Sequence, residues 1–469
     1  MGKFTLNGEI VNVESSKSLI KYLRDDMKLT SVKNGCNKGV CGTCTVLIDS
    51  KPKRACVLTT DKVEGKSIIT LEGIDESEKS VYVNAFSKVG AVQCGFCIPG
   101  MIIAAKGLID NNPNPTEEDV KKSIRNNLCR CTGYVKIIEA ILLAAKAFND
   151  NKKIDLSSSR KVGESMVRYD AVDKARGVAK YADDIYMEDM LYASVLRLDI
   201  PRVKINSIDI TKASKLAGVE KILTANDVPG ENYQGYIFKD WPTLVPVGHE
   251  TRYIGDAVAL VAASTKEIAD EAIKLIEVEY EQLVPITSCE EALKSDAYKI
   301  HELGNLLKTT HVVKGDVESA IRDSKFVVEH TFNTPTSEHA FLEPESTISF
   351  YDEDVLVVYS SSQSVHHDHH EIARILGLDH DQLRIESKTI GGGFGGKEDL
   401  SIQHHAALLT YYTKKPVKLT LSREESMKVH PKRHAMELKF KMGCDELGNF
   451  TFVQTEIHAD TGAYASLAT

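Results

Sequence analysis

The pattern of hydrophobic and polar positions divides the chain into a strand-rich start, a helical stretch and a long mixed remainder. The segment FTLNGEIVNV alternates apolar and polar residues around Asn7 and Gly8, which predicts a β-hairpin with a two-residue turn. Helical spacing follows in KSLIKYLRDDM, and TCTVLID and RACVLTT alternate like a second strand pair joined across Asp49 to Pro52. These elements predict a small mixed sheet with one helix, a β-grasp pattern, in residues 1–76.

The periodicity becomes helical from Val81 to Phe148, where apolar positions recur every three or four residues. Thr116, followed by Asp119 three positions later, is typical of a helix start with a capping box. A compact four-helix domain is therefore predicted for 77–150, built from VYVNAFSKVGAV, GMIIAAKGLID, EEDVKKSIRNNL and YVKIIEAILLAAKAF.

The rest of the chain mixes strand and helix patterns. Residues 151–167 are polar and unpatterned, which predicts a linker. Across 168–290, strands such as DAVALVAAS alternate with helical stretches such as STKEIADEAIKLI, as in an α/β domain. A further α/β region covers 305–469 and includes the strand VLVVYSS and the helix HHEIARILGL. The predicted fold class is multidomain α+β.

Composition narrows the class of partner. The 469 residues include 58 Lys and Arg against 67 Asp and Glu, a formal net charge of −9, without a long basic run that could follow a phosphate backbone. No apolar stretch approaches the roughly 20 residues that cross a bilayer, and the first residues lack a signal-peptide pattern. We therefore expect a cytoplasmic protein that binds neither nucleic acid nor membrane.

Ten cysteines carry the candidate chemistry, and eight of them lie within the first 131 residues at tight spacings. Without an export signal, metal ligation explains this clustering better than disulfides do. Cys289 and Cys444 stand alone and are interpreted as ordinary thiols.

The first set is Cys36, Cys41, Cys44 and Cys56 in and after KNGCNKGVCGTC. Four thiolates with this spacing are typical of a plant-type [2Fe–2S] cluster, and the loop's glycines allow backbone amides to approach the sulfur atoms. A structural zinc site is the alternative, but zinc usually takes two Cys-x-x-Cys pairs.

The second set joins Cys94 and Cys97 in QCGFC with Cys129 and Cys131 in LCRC, each pair at the start of a predicted helix. Helix N-termini favour thiolates and an anionic cluster, so a second [2Fe–2S] cluster is predicted. Zinc remains the alternative, although a Cys-x-Cys pair is unusual for it.

The loop GGGFGG has several interpretations. Gly391, Gly393 and Gly396 satisfy the dinucleotide fingerprint after a strand, but no acidic residue follows at 411–418, where the ribose would need one. A turn without a ligand is another alternative. Five glycines in six residues are better explained by a cofactor that touches the backbone.

The ordered motifs CNKGVCGTC, QCGFCIPGM, NLCRCTGY, GVAKYADDI and GGGFGGKED resemble the xanthine dehydrogenase and aldehyde oxidase family of molybdenum hydroxylases over essentially the whole chain. The resemblance implies a ferredoxin-like [2Fe–2S] domain in 1–76 and a helical [2Fe–2S] domain in 77–150. It also implies an α/β hammerhead domain in 168–290 and the first, incomplete part of a molybdopterin-binding domain in 305–469.

The resemblance also implies roles for single residues. Gln93 would hydrogen-bond the pterin, and Cys131 would be the ligand on the electron path from pterin to cluster. Gln363 matches the family glutamine beside the molybdenum. Phe394 and Gly395 match the loop that packs over the metal.

Glu398 matches a carboxylate that the purine-binding members carry after the glycine loop, where aldehyde oxidases usually have an apolar residue. A glutamate can accept a hydrogen bond from a ring N–H or, when protonated, donate one to a ring nitrogen. A solvated charge next to Lys397 is the alternative.

Two further clusters have competing interpretations. His366, Asp368 and His370 could gather a metal on one helix turn, but an exposed polar face is commoner and the family has no ligand set there. The motif SEHAFLEPE, with Glu338, His339, Glu343 and Glu345, is expected to shape a loop near the substrate funnel. It weakly resembles a selenium-dependent branch.

The implied reaction is hydroxylation of a purine-like N-heterocycle (xanthine or hypoxanthine), with oxygen from water and electrons passing through both clusters to an external acceptor. An aldehyde or nicotinate hydroxylase and a non-catalytic electron-transfer subunit are the alternatives. No residue is assigned as catalytic, because the family base would lie beyond Thr469. With no flavin domain between the cluster and hammerhead regions, flavin would sit on another subunit. We expect either a fragment or a second chain that completes the molybdenum domain.

Overall fold

The computed structural model describes residues 2–157 and 161–468. The chain is a multidomain α+β protein, as the sequence predicts. Residues 158–160 of the predicted linker lie outside the described residues. Within the described ranges, no helix has the length and apolar character needed to cross a membrane.

The described helices and strands alternate unevenly along the chain. The helices are α1 Leu19–Lys21, α2 Glu76–Lys88, α3 Ile98–Ile109, α4 Glu117–Ile124, α5 Val135–Asn149, α6 Ala171–Arg176, α7 Thr211–Ser214, α8 Lys266–Lys274, α9 Cys289–Ala292, α10 Val317–Asp323, α11 Val365–Leu376, α12 Gln403–Thr413 and α13 Arg423–Val429. The strands are β1 Gly2–Leu6, β2 Glu9–Val13, β3 Thr45–Ile48, β4 Lys51–Arg54, β5 Ser67–Ile69, β6 Leu191–Arg197, β7 Val203–Asp209, β8 Val219–Leu223, β9 Tyr233–Gln234, β10 Trp241–Pro242, β11 Ala257–Ala263, β12 Glu277–Gln282, β13 Phe326–Thr334, β14 Ser346–Asp352, β15 Val355–Ser360, β16 Leu383–Ser387, β17 Val417–Thr420, β18 Ala435–Cys444 and β19 Phe450–Asp460.

The first domain is a five-stranded sheet in the order β2-β1-β5-β3-β4. The predicted hairpin is confirmed: β1 pairs antiparallel with β2, and Asn7 and Gly8 adopt the positive φ values of 51° and 91° that such a turn needs. The predicted helix is confirmed in part, because α1 passes directly into a π-helical turn at Tyr22–Asp26.

The predicted second strand pair is wrong in its register. β3 pairs with β4, and the turn consists of Asp49 and Ser50, both with positive φ. Pro52 lies inside β4, which is tolerated because β4 is an edge strand and needs fewer backbone donors. The segment predicted as the strand instead forms a 3₁₀ turn at Ala55–Val57, which carries Cys56.

The predicted four-helix domain is confirmed as α2 to α5. Its centre is fully buried, with Tyr82, Phe86 and Met101 at 0 % exposure. The predicted capping box is present at α4, where Thr116 Oγ1 accepts from Asp119 N at 3.2 Å and Asp119 Oδ2 accepts from Thr116 N at 3.0 Å.

The placement of the second cysteine set at two helix starts is only half right. Cys97 is the N-cap of α3, but Cys129 and Cys131 lie in a loop before α5. Gly133 and Tyr134 both have positive φ, at 67° and 72°, so the chain turns sharply before the helix can begin.

A seven-stranded sheet joins the hammerhead and molybdopterin-binding regions, in the order β16-β15-β14-β17-β6-β11-β8. β6 pairs parallel with β17, with Leu191 opposite Val417. One core includes Leu260 of β11 together with Val358 of β15 and Leu408 of α12. A continuous sheet and core therefore cross the boundary predicted between 168–290 and 305–469.

Candidate functional site

The first four cysteines converge in the loop between α1 and β3 and at the turn after β4. Cys36 Sγ accepts hydrogen bonds from the backbone N–H groups of Lys38, Val40 and Cys41 at 3.4, 3.3 and 3.4 Å. Hydrogen bonds from neighbouring thiols, that of Cys41 first, lower the pKa of the Cys36 thiol. Thiolates and amides that converge in this way fit an iron–sulfur cluster.

Glycine at position 42 allows the two cysteine-bearing domains to touch. Gly42 has φ +72°, and a Cβ there would lie 2.2 Å from the carbonyl oxygen of Asn126. The buried Asn127 side chain donates to the Gly42 carbonyl at 3.0 Å, and Leu128 N donates to the Cys41 carbonyl at 2.7 Å. Cys41 of the first set is therefore hydrogen-bonded to the residue that precedes Cys129 of the second set.

The second four cysteines converge between the start of α3 and the loop before α5. A hydrogen bond from Cys131, and a further one from Cys97, lower the pKa of the Cys129 thiol. Cys97 itself is 3 % exposed, and its hydrogen bond to Cys129 together with burial raises its pKa. Four thiols that hydrogen-bond to one another in this way fit a bound cluster, because the metal replaces their protons.

Side chains hydrogen-bond to backbone carbonyls where the second domain meets the hammerhead and molybdopterin-binding regions. Tyr181 donates to the Cys94 carbonyl at 2.7 Å, and Lys174 donates to the Gln93 carbonyl at 3.2 Å. Arg130, between two ligands, donates to the His339 carbonyl at 2.9 Å. The side chain of Gln93, which is predicted to hydrogen-bond the pterin, is exposed.

The GGGFGG loop closes over Gln363. Gln363 Oε1 accepts from Gly395 N at 3.0 Å and from Lys397 N at 3.3 Å, and Gln363 N donates to the Lys397 carbonyl at 2.8 Å. A Cβ on Gly393 would lie 2.1 Å from Gln363 Oε1. Phe394, with φ 56° and 47 % exposure, projects from this loop. Three of the residues assigned to the cofactor are therefore neighbours.

The loop offers the surface that a cofactor needs. At Gly395, φ is +88°, and the nearest atom to an added Cβ is His339 Nε2 at 3.9 Å, so its backbone is uncovered. An open glycine backbone beside an amide side chain fits a molybdopterin, for which Gln363, Phe394 and Gly395 would supply contacts.

A buried ion pair supports the loop, and sequence reasoning missed it. Glu343 Oε2 accepts from Lys397 Nζ at 2.9 Å and from Gly391 N at 2.6 Å. Both side chains are about 2 % exposed or less, and burial raises the pKa of Glu343. The sequence shows the carboxylate in LEPE and the lysine in GGK, but it does not show that these two side chains pair.

Glu398 lies at the end of this loop and is half-buried. Its carbonyl accepts from Tyr236 at 3.0 Å, and the Tyr236 ring stacks on His367 with centroids 3.6 Å apart. Burial raises the pKa of Tyr236 to about 12, which keeps its hydroxyl protonated. The Glu398 carboxylate makes no ion pair with another residue that the structure describes.

The alternative metal site on α11 does not form. Asp368 is fully buried and accepts from Gln403 at 3.3 Å, and burial raises its pKa to about 7, whereas His370 lies at the surface. Among the described residues, the side chains grouped like metal ligands are Glu338, His339 and His430. There His430 Nε2 lies 2.7 Å from Glu338, whose other oxygen pairs with a lysine.

Four family models match consecutive stretches of the chain. They are a 2Fe-2S iron-sulfur cluster binding domain at 9–81, a [2Fe-2S] binding domain at 70–142, the aldehyde oxidase and xanthine dehydrogenase a/b hammerhead domain at 176–284, and a molybdopterin cofactor-binding domain at 300–469. The cofactor set predicted from the sequence, two [2Fe–2S] clusters and a molybdopterin, is confirmed.

Curated relatives match both the iron–sulfur region and the molybdopterin-binding region of the chain. The nicotinate dehydrogenase of Eubacterium barkeri matches through its large molybdopterin subunit, 45 % identical over 65 % of this chain and 72 % of that subunit. Its small FeS subunit is 46 % identical over 30 % of this chain and 92 % of that subunit. A probable xanthine dehydrogenase subunit of Bacillus subtilis is 40 % identical over 65 % of this chain and 40 % of the relative.

The solved aldehyde oxidoreductase of Desulfovibrio gigas has the same fold, with a TM-score of 0.91 at 29 % identity. It aligns over 98 % of this chain, which in turn spans 53 % of that enzyme. The chain therefore spans about half the length of this relative. The predicted multidomain α+β class is confirmed, and the relatives that this chain matches are oxidoreductases.

Proposed function

This chain belongs to the xanthine dehydrogenase and aldehyde oxidase family of molybdenum hydroxylases, and from that premise we propose that it hydroxylates a purine-like N-heterocycle such as xanthine or hypoxanthine. The proposed reaction oxidises a ring carbon next to a ring nitrogen and takes its oxygen from water. When bound, the molybdenum cofactor supplies the two-electron oxidation.

The chain's own residues would hold and orient the reactants. Gln363 fixes the glycine loop through the N–H groups of Gly395 and Lys397, so its position and that of the loop change together. Gln93 would bind the pterin from the side of the second cluster. Phe394, which projects from the loop, would cover one face of the site and exclude water from it.

Glu398 is the observation that supports a purine. A half-buried carboxylate without an ion pair, directly after the cofactor loop, can bind the N–H edge of a heterocycle. An aldehyde offers no such donor. A site built for a ring N–H discriminates strongly against ligands that lack one, because its buried acceptor is then unpaired.

Electrons would leave through the clusters one at a time. Cys131 is the proposed near end of this route. Because Leu128 N donates to the Cys41 carbonyl, the two cluster loops are in direct contact, and the first set is the proposed exit. The acceptor is proposed to be an external carrier or a flavin-bearing subunit.

Nicotinate is the second candidate substrate, and the similarity to both subunits of a nicotinate dehydrogenase favours it. Nicotinate is also an N-heterocycle, so the proposed chemistry is unchanged. It carries its own carboxylate, however, which the charge of Glu398 would repel at short range. Substrate preference therefore depends on whether this side chain faces the bound ring.

The test is made on the enzyme purified from its natural host with all its polypeptides. We expect kcat/KM for xanthine or hypoxanthine to exceed that for nicotinate and benzaldehyde, and Glu398→Val to lower the purine value by about 100-fold or more. Glu446→Val, at an exposed carboxylate, is the matched control and should have no effect. Faster nicotinate turnover, or unchanged purine turnover in Glu398→Val, contradicts the proposal.

A further inference from the structure

A short segment of the molybdopterin half, residues 338–343, lies beneath the GGGFGG loop. A Cβ on Gly396 would lie 2.9 Å from His339 Nδ1, so the imidazole touches the backbone of the loop. Glu343, at the end of the segment, accepts a hydrogen bond from Gly391 N at 2.6 Å. The segment therefore packs directly against the loop that is assigned to the cofactor.

Arg130, which lies between the predicted ligands Cys129 and Cys131, reaches the same segment from the second domain. Its Nε donates to the His339 carbonyl at 2.9 Å, and its Nη2 donates to the Glu338 carbonyl at 3.3 Å. A guanidinium presents several donors in one plane, so it can hold two neighbouring carbonyls at once. The second cysteine loop is thus tied to the backbone under the glycine loop.

The backbone next to these two carbonyls adopts a conformation that has to be held in place. Ala340 has φ 56°, a left-handed conformation that is costly for a residue with a Cβ. Its N–H donates to Glu338 Oε1 at 3.1 Å, and that carboxylate also lies 2.7 Å from His430 Nε2. These contacts stabilise the turn, so the carbonyls that Arg130 binds have fixed positions.

Another arginine anchors the far end of the segment. Arg423 Nη2 donates to the Leu342 carbonyl at 2.7 Å and to the Gly35 carbonyl at 3.3 Å. Gly35 directly precedes Cys36 of the first cysteine set. The segment is therefore fixed independently of Arg130, and a rigid element of this kind can serve as a reference position for the second cysteine loop.

We propose that Arg130 is a positioning residue that holds the second cluster at a fixed separation from the molybdenum cofactor, through its two hydrogen bonds to residues 338 and 339. Transfer of an electron between two centres slows as their separation grows, so a residue that fixes the separation also sets the rate. The inference rests on the proposed function for the direction of electron flow. A solvated arginine without a role is the alternative, because Arg130 is exposed.

The separation can be tested without substrate. The enzyme is purified from its natural host with all its polypeptides and reduced with dithionite, and the electron paramagnetic resonance signal of molybdenum is recorded. A reduced cluster nearby splits this signal by an amount that falls steeply with distance. Because a displacement of about 1 Å is enough for large effects, we expect Arg130→Met to reduce the splitting by about half or more.

The rate of electron transfer is the second measurement. After substrate is added, cluster reduction is followed by absorption in a stopped-flow instrument. We expect Arg130→Met to slow it by about tenfold or more. Arg130→Lys keeps the positive charge but cannot hold two carbonyls in one plane, so it should reduce the splitting measurably and slow cluster reduction by about threefold or more.

The matched control is another arginine of the same domain. Arg125→Met removes an exposed side chain at the C-cap of α4 and should leave the splitting and the rate within about twofold of the parent. If Arg130→Met loses the second cluster or the molybdenum, the same two measurements on Arg130→Lys decide.

A splitting equal to that of the parent in the deciding Arg130 variant would overturn the inference. A parent enzyme whose molybdenum signal shows no splitting would overturn it too, and so would equal losses in Arg125→Met. The two proposals fail separately. Reduced splitting in a variant whose parent hydroxylates no N-heterocycle contradicts the proposed function alone, whereas purine turnover with unaltered splitting contradicts the positioning role alone.

Discussion

The iron–sulfur half, residues 2–150, and the molybdopterin half, residues 168–468, place their chemistry in different ways. Each cysteine set in the first half is local, spanning 36–56 and 94–131, and each belongs to a domain with its own core. In the second half, Glu343 pairs with Lys397 across 54 positions, and one seven-stranded sheet runs through the hammerhead and molybdopterin-binding regions.

A metal cluster and an organic cofactor therefore differ in how the chain assembles the residues that bind them. A cluster needs a few ligands close together, which two short segments of one domain can supply as they fold around the metal. A pterin extends across several segments, so its contacts come from loops that a large sheet must first bring together. Four experiments test this contrast.

The largest effect is expected from removing a cluster ligand. Cys97→Ser should lower the iron content from about four atoms per chain to about two, because each cluster holds two. Iron analysis and the electron paramagnetic resonance of the reduced protein measure this. Cys289→Ser, at a thiol outside both sets, should change neither. If Cys97→Ser keeps both clusters, Cys97 is not a required ligand of the second cluster.

Removing one partner of the buried Glu343–Lys397 pair under the glycine loop should destabilise the molybdopterin half and leave the stability of the iron–sulfur half unchanged. Glu343→Leu leaves Lys397 buried and unpaired, which should cost about 3 to 5 kcal/mol of unfolding free energy. The single tryptophan, Trp241, reports this half by fluorescence during denaturation, and cluster absorption reports the first half.

The control for that variant is a surface pair. Glu220→Leu removes a partner of Lys415, at 2.9 Å with both side chains more than 40 % exposed, and should cost less than about 1 kcal/mol. If Glu343→Leu shifts both probes equally, the two halves unfold together and the contrast does not extend to stability.

The pH dependence of the molybdopterin half should come partly from Asp368. Its pKa is about 7 in the folded chain against 3.8 ordinarily, because burial disfavours the charge. The folded state therefore holds an extra proton between those values, and stability falls as pH rises through that window. Asp368→Asn should be more stable than the parent at pH 8 by about 1 to 3 kcal/mol and similar at pH 4.

Denaturation followed by Trp241 fluorescence at both pH values measures the Asp368 effect. Asp354→Asn, on the exposed turn between β14 and β15, should leave the slope unchanged. An unaltered slope in Asp368→Asn would show that this carboxyl is charged in the folded protein.

The smallest expected effect is steric. A Cβ at Gly393 would meet the flexible end of Gln363, so Gly393→Ala should cost only about 1 kcal/mol. It should nevertheless displace the Gln363 amide from Gly395 and lower the molybdenum content of the enzyme from its natural host. Gly107→Ala, whose Cβ would meet Pro52 in the iron–sulfur half, is the matched control and should leave molybdenum unchanged.

The sequence alone was enough to predict the features that depend on the spacing of neighbouring residues. The hairpin at Asn7 and Gly8, the capped helix at Thr116 and the close spacing within each group of cysteines depend on a few neighbouring residues, because turns and caps are local. Local rules failed only where the neighbours decide, as at Pro52, which is harmless in β4 because that strand is an edge.

Contacts between segments that are distant in the sequence could be identified only from the three-dimensional structure. The fold paired Glu343 with Lys397, closed the glycine loop on Gln363 and ran one sheet from β8 to β16. It also set apolar residues of β13, β18 and β19 opposite one another. Alternation along one strand predicts which positions share a face, but only the register between strands shows which faces of neighbouring strands coincide.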